Sequence, residues 1–140
     1  IVDVRSASLL PGQASDLRPF DTIQWVSVLK SMTAYQMYRR SEQVRVQRGP
    51  VLRFLFQSEE FPRAVHHCLE SVRVCLENLP RNESSLRMAG RVKRALLAAE
   101  VAGLSQKDLH AFVDDLQLGI GELHGEIARS WFPPPPADAA

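Results

Sequence analysis

Polar side chains that can do chemistry gather in two stretches of this 140-residue chain. The first reads YQMYRRSEQVRVQRG and sets Tyr35, Tyr38, Arg39, Arg40, Arg45 and Arg48 beside one acid, Glu42. Guanidinium forks match carboxylates and phosphates, so this cluster suits an anionic ligand or an acidic partner. Tyr35 and Arg39 are one helical turn apart, and Tyr38 lies on the adjacent strip. The structural alternative is a solvated basic helix end, where cations complement the dipole. The second stretch carries Arg63, His66, His67, Glu70 and Arg73. His66, Glu70 and Arg73 fall near one line of a helix. Glu70 is expected to pair with Arg73 and to tune His66 toward acid/base work. Here the structural alternative is an ion network on a helix surface.

Other chemistries find no pattern. His110 and Asp114 are one turn apart, but no HExxH, CxxC or Glu-x-x-His motif completes a metal site. His124 lies about 21 Å further along the same helix. No Gly-rich phosphate loop, GxSxG or dinucleotide fingerprint occurs. Glu122 and Glu126 share a face without any sign of a cleft. No metal and no cofactor are expected. Cys68 and Cys75 are about 10 Å apart along one helix, too far to bridge within it. They read as reduced core residues in a reducing, cytoplasmic setting.

Composition gives these residues an ordinary background. Hydrophobic residues make up 45% of the chain, charged residues 24%, and the net charge is +1. A balance so close to zero disfavours nucleic acid as a partner. No apolar run reaches the roughly 20 residues of a membrane span. No signal peptide is evident. The first residue is Ile1 rather than Met, which points to a native terminus further upstream.

The element that positions most of the polar groups is FPRAVHHCLESVRVCLENLP, from Phe61 to Pro80. Val65, Cys68, Leu69, Val72, Cys75, Leu76 and Leu79 recur at helical spacing, with Pro62 placed for the first turn. Upstream, residues 1–10 read as the end of a helix stopped by Pro11-Gly12, and residues 13–19 as a loop. Asp21 can cap a helix to about Glu42 or Val44, with Gln24 as its box partner and Phe20 stapled to Trp25. Gly49-Pro50 breaks the chain, and VLRFLF (Val51–Phe56) reads as a short buried helix rather than a strand. Asn82 can cap a helix to about Ala102, closed by Gly103. Ser105, with Asp108 in the box position, opens the last helix. Gly119, Gly121 and Gly125 inside it each cost about 1 kcal/mol against alanine, which predicts a close neighbour. Short linkers favour antiparallel neighbours. The expected fold is all-α, an up-and-down antiparallel bundle of five to six helices spanning residues 1–132, with a Pro-rich, poorly ordered tail over 133–140. The core is expected to hold Trp25, Leu29, Leu52, Leu55, Val65, Leu69, Val72, Leu76, Val92, Leu96, Phe112, Leu116 and Ile120.

The order of these pieces resembles a known family. An aspartate-capped helix with Trp25 precedes Tyr35-x-x-Tyr38-Arg39-Arg40. Val51-Leu52-x-Phe54-Leu55 follows, then Phe61-Pro62-Arg63-x-Val65 with Cys68-Leu69, and a late Leu109-His110. This is similar to the C-terminal half of the bacterial alpha-E domain, an all-helical domain without an assigned function. The resemblance runs from about Ile1 to Phe132. It implies a hallmark Glu-Arg helix upstream of Ile1, so that these residues form part of a longer domain. Ala64 stands where the family usually has serine. The resemblance further implies association with ATP-grasp ligases and transglutaminase-like proteins, in peptide or amide-bond modification. Two functions follow as expectations. One is a docking module whose Tyr/Arg cluster meets an acidic partner. The other is an enzyme in which Arg39, Arg40 and Arg63 hold an anionic substrate while Glu70 or His66 moves a proton. Uncovered apolar surface around Val2, Val4, Leu9 and Leu10 is expected to drive a two-fold dimer.

Overall fold

The long helix expected from Asp21 onward is two helices. The computed structural model describes residues 18–133, and α1 (Arg18–Ser31) stops before α2 (Tyr35–Ser41). Thr33 sits at a φ of 52°. Its N–H reaches the Lys30 carbonyl at 3.0 Å, and the Ala34 N–H reaches the Leu29 carbonyl at 2.7 Å. This pair of bonds is a Schellman stop, usually built on glycine. Here Ala34 and Leu29, both buried, supply the apolar contact that accompanies it. The periodicity carries across the break, which is why a sequence reading passes over it. The start differs too. Arg18 and Pro19 already lie in α1, so Asp21 sits in the first turn instead of capping it. Phe20 is exposed and staples nothing.

Next come α3 (Arg48–Gln57), α4 (Val65–Glu77), α5 (Glu83–Ala98) and α6 (Gln106–Trp131). The described residues contain no strand, so the chain is all-α, and the VLRFLF segment is the buried helix expected of it. Gly49 and Pro50 open that helix rather than breaking the chain, since a first-turn proline leaves no hydrogen bond unmade. Pro62 precedes α4, whose N-cap is Ala64. The readings of residues 1–10, of their apolar dimer face, and of the tail beyond residue 133 lie outside the described residues.

Helices α4, α5 and α6 run antiparallel in sequence order. Asn82 at the start of α5 donates to the Leu76 carbonyl near the end of α4. Trp131 at the end of α6 donates to the Pro80 carbonyl before α5 at 3.2 Å. Asn82 therefore caps α4 backward and makes no side-chain bond to its own helix. Ser105 does cap α6, accepting from the Asp108 N–H at 3.1 Å. A Cβ on Gly119 would lie 3.1 Å from Val92, so that glycine has the close neighbour its helix cost predicts. Gly121 and Gly125 have no such neighbour on another helix among the described residues.

The expected core is buried or packed against the buried cluster except for Ile120, which is exposed. The phase of α4 is turned relative to the expected stripe. His66, Leu69 and Leu76 face inward, while Cys68, Cys75 and Leu79 are exposed. The two cysteines are free, but they are not core residues. Replacing fully packed Leu116 by alanine is expected to cost about 2–5 kcal/mol.

Candidate functional site

The two polar stretches become two separate surfaces. The first lies where α1, α2 and α3 meet the turn before α4. Tyr38 is fully buried, and its hydroxyl donates to the Arg45 carbonyl at 3.2 Å. Burial pushes its phenol above the usual range, with nearby Glu42 adding to the shift. Its ring meets Phe54 edge-on at 5.3 Å, and Phe54 stacks on Phe61 at 4.8 Å. Tyr38 thus joins α2 to α3 and to the Phe61-Pro62-Arg63 turn as a packing residue. Arg63 donates to the Met32 carbonyl at 3.0 Å, placing a cation at the negative end of α1. Two motifs distant in sequence are therefore one junction.

The exposed side of that junction is basic. Lys30 Nζ lies 5.5 Å from the centre of the Tyr35 ring, and the Arg39 guanidinium carbon lies 6.0 Å from it. Cations over an aromatic face are held in place by its quadrupole. Arg39 and Arg40 are exposed on α2, and neither forms an ion pair with a described residue. The ion pairs among described residues instead involve Arg73, Arg91, Lys93 and Arg129.

The second surface is a groove of about 600 Å³ between α4 and α5, lined by Glu59, His66, His67, Glu70, Ser71, Val74, Cys75 and Lys93. Arg39, Arg40 and Arg63 do not line it. The expected Glu70–Arg73 pair is present, with Arg73 Nη2 at 2.6 Å and Nε at 3.0 Å from the carboxylate. Lys93 of α5 adds a third donor at 2.7 Å, and Glu77 takes another edge of Arg73. The Arg73 fork, then Lys93, hold the Glu70 carboxyl down at about 2. His66 is buried, and its Nδ1 lies 3.2 Å from the Gln57 carbonyl. A carbonyl only accepts, so this bond places the proton on Nδ1. His67 makes the same kind of bond to the Glu59 carbonyl at 2.6 Å.

Sequence reasoning missed Gln57 and Lys93. The Gln57 amide donates to the Leu96 and Ala99 carbonyls, at 2.9 and 2.8 Å, and so closes the end of α5 against α3. No local pattern marks it, because its partners lie some forty residues away. Lys93 sits on the polar side of α5, and its role depends on where α4 packs. No group of three His, Cys, Asp or Glu side chains able to hold a metal occurs among the described residues.

No curated protein and no solved structure matches the chain. One family model does, over residues 1–132: Alpha-E, a predicted alpha-helical domain with a conserved ER motif. The sequence itself contains no adjacent Glu-Arg pair. The match covers nearly the whole chain and accords with its all-helical fold, and the protein belongs to the alpha-E family.

Proposed function

We propose that the chain is a helical docking module that presents the basic face of α2 to an acidic segment of a partner protein. The carrying observation is that two adjacent arginines without a described ion pair stand beside an aromatic ring on α2, which sets them apart from other exposed, unpaired arginines such as Arg53, Arg81 and Arg94. Arg39 and Arg40 are exposed without a described carboxylate, whereas Glu70, Glu122 and Glu126 have cations of their own. Tyr35 beside them offers an aromatic anchor, and Tyr and Arg are the residues that interface hot spots favour. The partner we propose, following the family resemblance, is an ATP-grasp ligase or a transglutaminase-like protein of a peptide-modifying system. A cytoplasmic setting belongs to the same proposal and suits two free exposed thiols. No helix of the described chain is long and apolar enough to cross a membrane.

The state of Glu70 weighs against the alternative, an enzyme acting on an anionic substrate. A carboxylate held at about 2 is a weak base, whereas a general base works best near the operating pH. His66 is buried and spends one ring nitrogen on a backbone carbonyl. Titration calorimetry with each candidate partner tests the docking proposal. Arg39→Glu with Arg40→Glu should weaken binding at least about tenfold, and added salt should weaken the wild-type complex. Arg91→Glu, on α5, is the control and should change little. Absence of binding to either partner, or binding indifferent to the α2 reversal, would overturn the proposal.

A further inference from the structure

Independently of the α2 surface, α6 carries a second unpartnered face. Beside α5 runs an open groove of about 850 Å³, lined by Met88 of α5 and by residues of α6 that include Gln117 and Glu122, the latter paired with Arg91 of α5. Five of the α6 positions, Asp114, Leu118, Gly121, Gly125 and Arg129, are spaced by four, three, four and four and form one stripe. Leu118 is 67% exposed on it. A Cβ on Gly121 would meet nothing within 4 Å, and one on Gly125 would meet only the Arg129 guanidinium at 3.5 Å. Both glycines weaken the helix, and no contact among the described residues offsets that.

The stripe is complementary to itself. Asp114 and Arg129 lie equally far on either side of the point between Gly121 and Glu122, and so do Leu118 and Gly125. In a two-fold antiparallel pairing of identical helices, residues equidistant from the axis face each other. A second α6 laid there would set each Asp114 against an Arg129, and each Leu118 over the gap at Gly125. Asp114 forms no ion pair with a described residue. Arg129 is 71% exposed, and its bond to Glu126 leaves other donors of its fork free. A foreign helix or another segment of the same chain would not require this symmetric arrangement of charge and volume.

We propose that this face of α6 docks a second copy of the chain, antiparallel, with the two helices crossing at Gly121–Glu122. Sedimentation velocity on the 140-residue chain, from about 1 to about 200 μM, should show a monomer–dimer equilibrium. Gly125→Leu fills the gap on an exposed face, where only the flexible end of Arg129 must give way. It should weaken the dimer at least about tenfold. Asp114→Arg and Arg129→Asp should each weaken the dimer. Combined, they should return it to within about threefold of wild type. Circular dichroism melts confirm that each variant folds. A monomer at every concentration, a dimer unchanged by Gly125→Leu, or a double reversal that fails to restore it would overturn the proposal. So would a chain that dimerises only once residues 1–17 are removed, because that segment would then be the occupant.

Discussion

Tyr38 decides whether the Tyr/Arg cluster is one site or a packed junction with a basic surface. Its ring is fully buried against Phe54, which itself stacks on Phe61, so Tyr38→Ala empties an aromatic-sized volume. Large aromatic-to-alanine changes in cores cost about 3–5 kcal/mol. At about 4 °C per kcal/mol for a domain of this size, that is a fall of roughly 12–20 °C in Tm. Tyr38→Phe keeps the ring and removes only the hydroxyl that donates to the Arg45 carbonyl. Arg45 is exposed, so water can replace that donor, and the loss should be about 0.5–1 kcal/mol. The phenol adds a pH signature. Its folded value is raised above 10.0, so its neutral form favours the fold. That contribution is intact below pH 10 and is lost as pH rises through the folded value. Urea denaturation at neutral pH, repeated between pH 9 and 11, should show wild type losing stability more steeply than Tyr38→Phe. Partner binding should be the same for both. Tyr38→Ala melting with wild type, or Tyr38→Phe abolishing binding while sparing stability, would refute the packing assignment.

The remaining expectations concern single side chains. Glu70 is held at about 2 against an ordinary 4.5, so its contribution to stability is present above pH 4.5 and lost as pH falls toward 2. Glu70→Gln should flatten acid denaturation in that window and lower Tm at pH 7 by the same amount, a small one because the side chain is 37% exposed. Gly119→Ala should destabilise, since its new Cβ would press on Val92 at 3.1 Å. Gly90→Ala meets only the end of Arg94 and should stabilise by up to about 1 kcal/mol. Thermal melts of the pair check the contrast. Thr33→Gly should raise Tm, because a β-branched residue at a φ of 52° is strained by about 1–2 kcal/mol.

The parts of the fold that were legible in the sequence are those written in periodicity over many residues. The stripes of α5 and α6 set Val92, Leu96 and Leu116 inside, and the Ser105–Asp108 cap marked the start of α6. What failed was phase and punctuation. In α4, cysteine and histidine occupy neighbouring strips, and hydropathy favours the wrong one. His66 is buried because the Gln57 carbonyl gives its ring a partner, which hydropathy does not register. At Thr33 the stop is made by backbone bonds and by the burial of Ala34, with none of the glycine that usually announces it. Asn82 has the composition of a cap for α5, yet the end of α4 is within its reach and takes the side chain.

The same reasoning separates the candidate residues. Sequence groups residues by nearness, but tertiary packing regroups them by their partners. Tyr38 and Arg63 belong to different sequence motifs and serve one junction. Glu70 and Arg73 form the pair that their spacing predicts, and Lys93 of α5 makes it a clamp across two helices. A pair confined to α4 would report only on that helix. A clamp reaching α5 fixes how α4 and α5 sit side by side, and α5 in turn carries the Val92 contact that seats α6 at Gly119. The polar groups best placed to do chemistry are thus engaged in holding the helices together. Arg39 and Arg40 have no described acidic partner, and the Tyr35 ring beside them sets them apart from other exposed, unpaired arginines such as Arg53, Arg81 and Arg94.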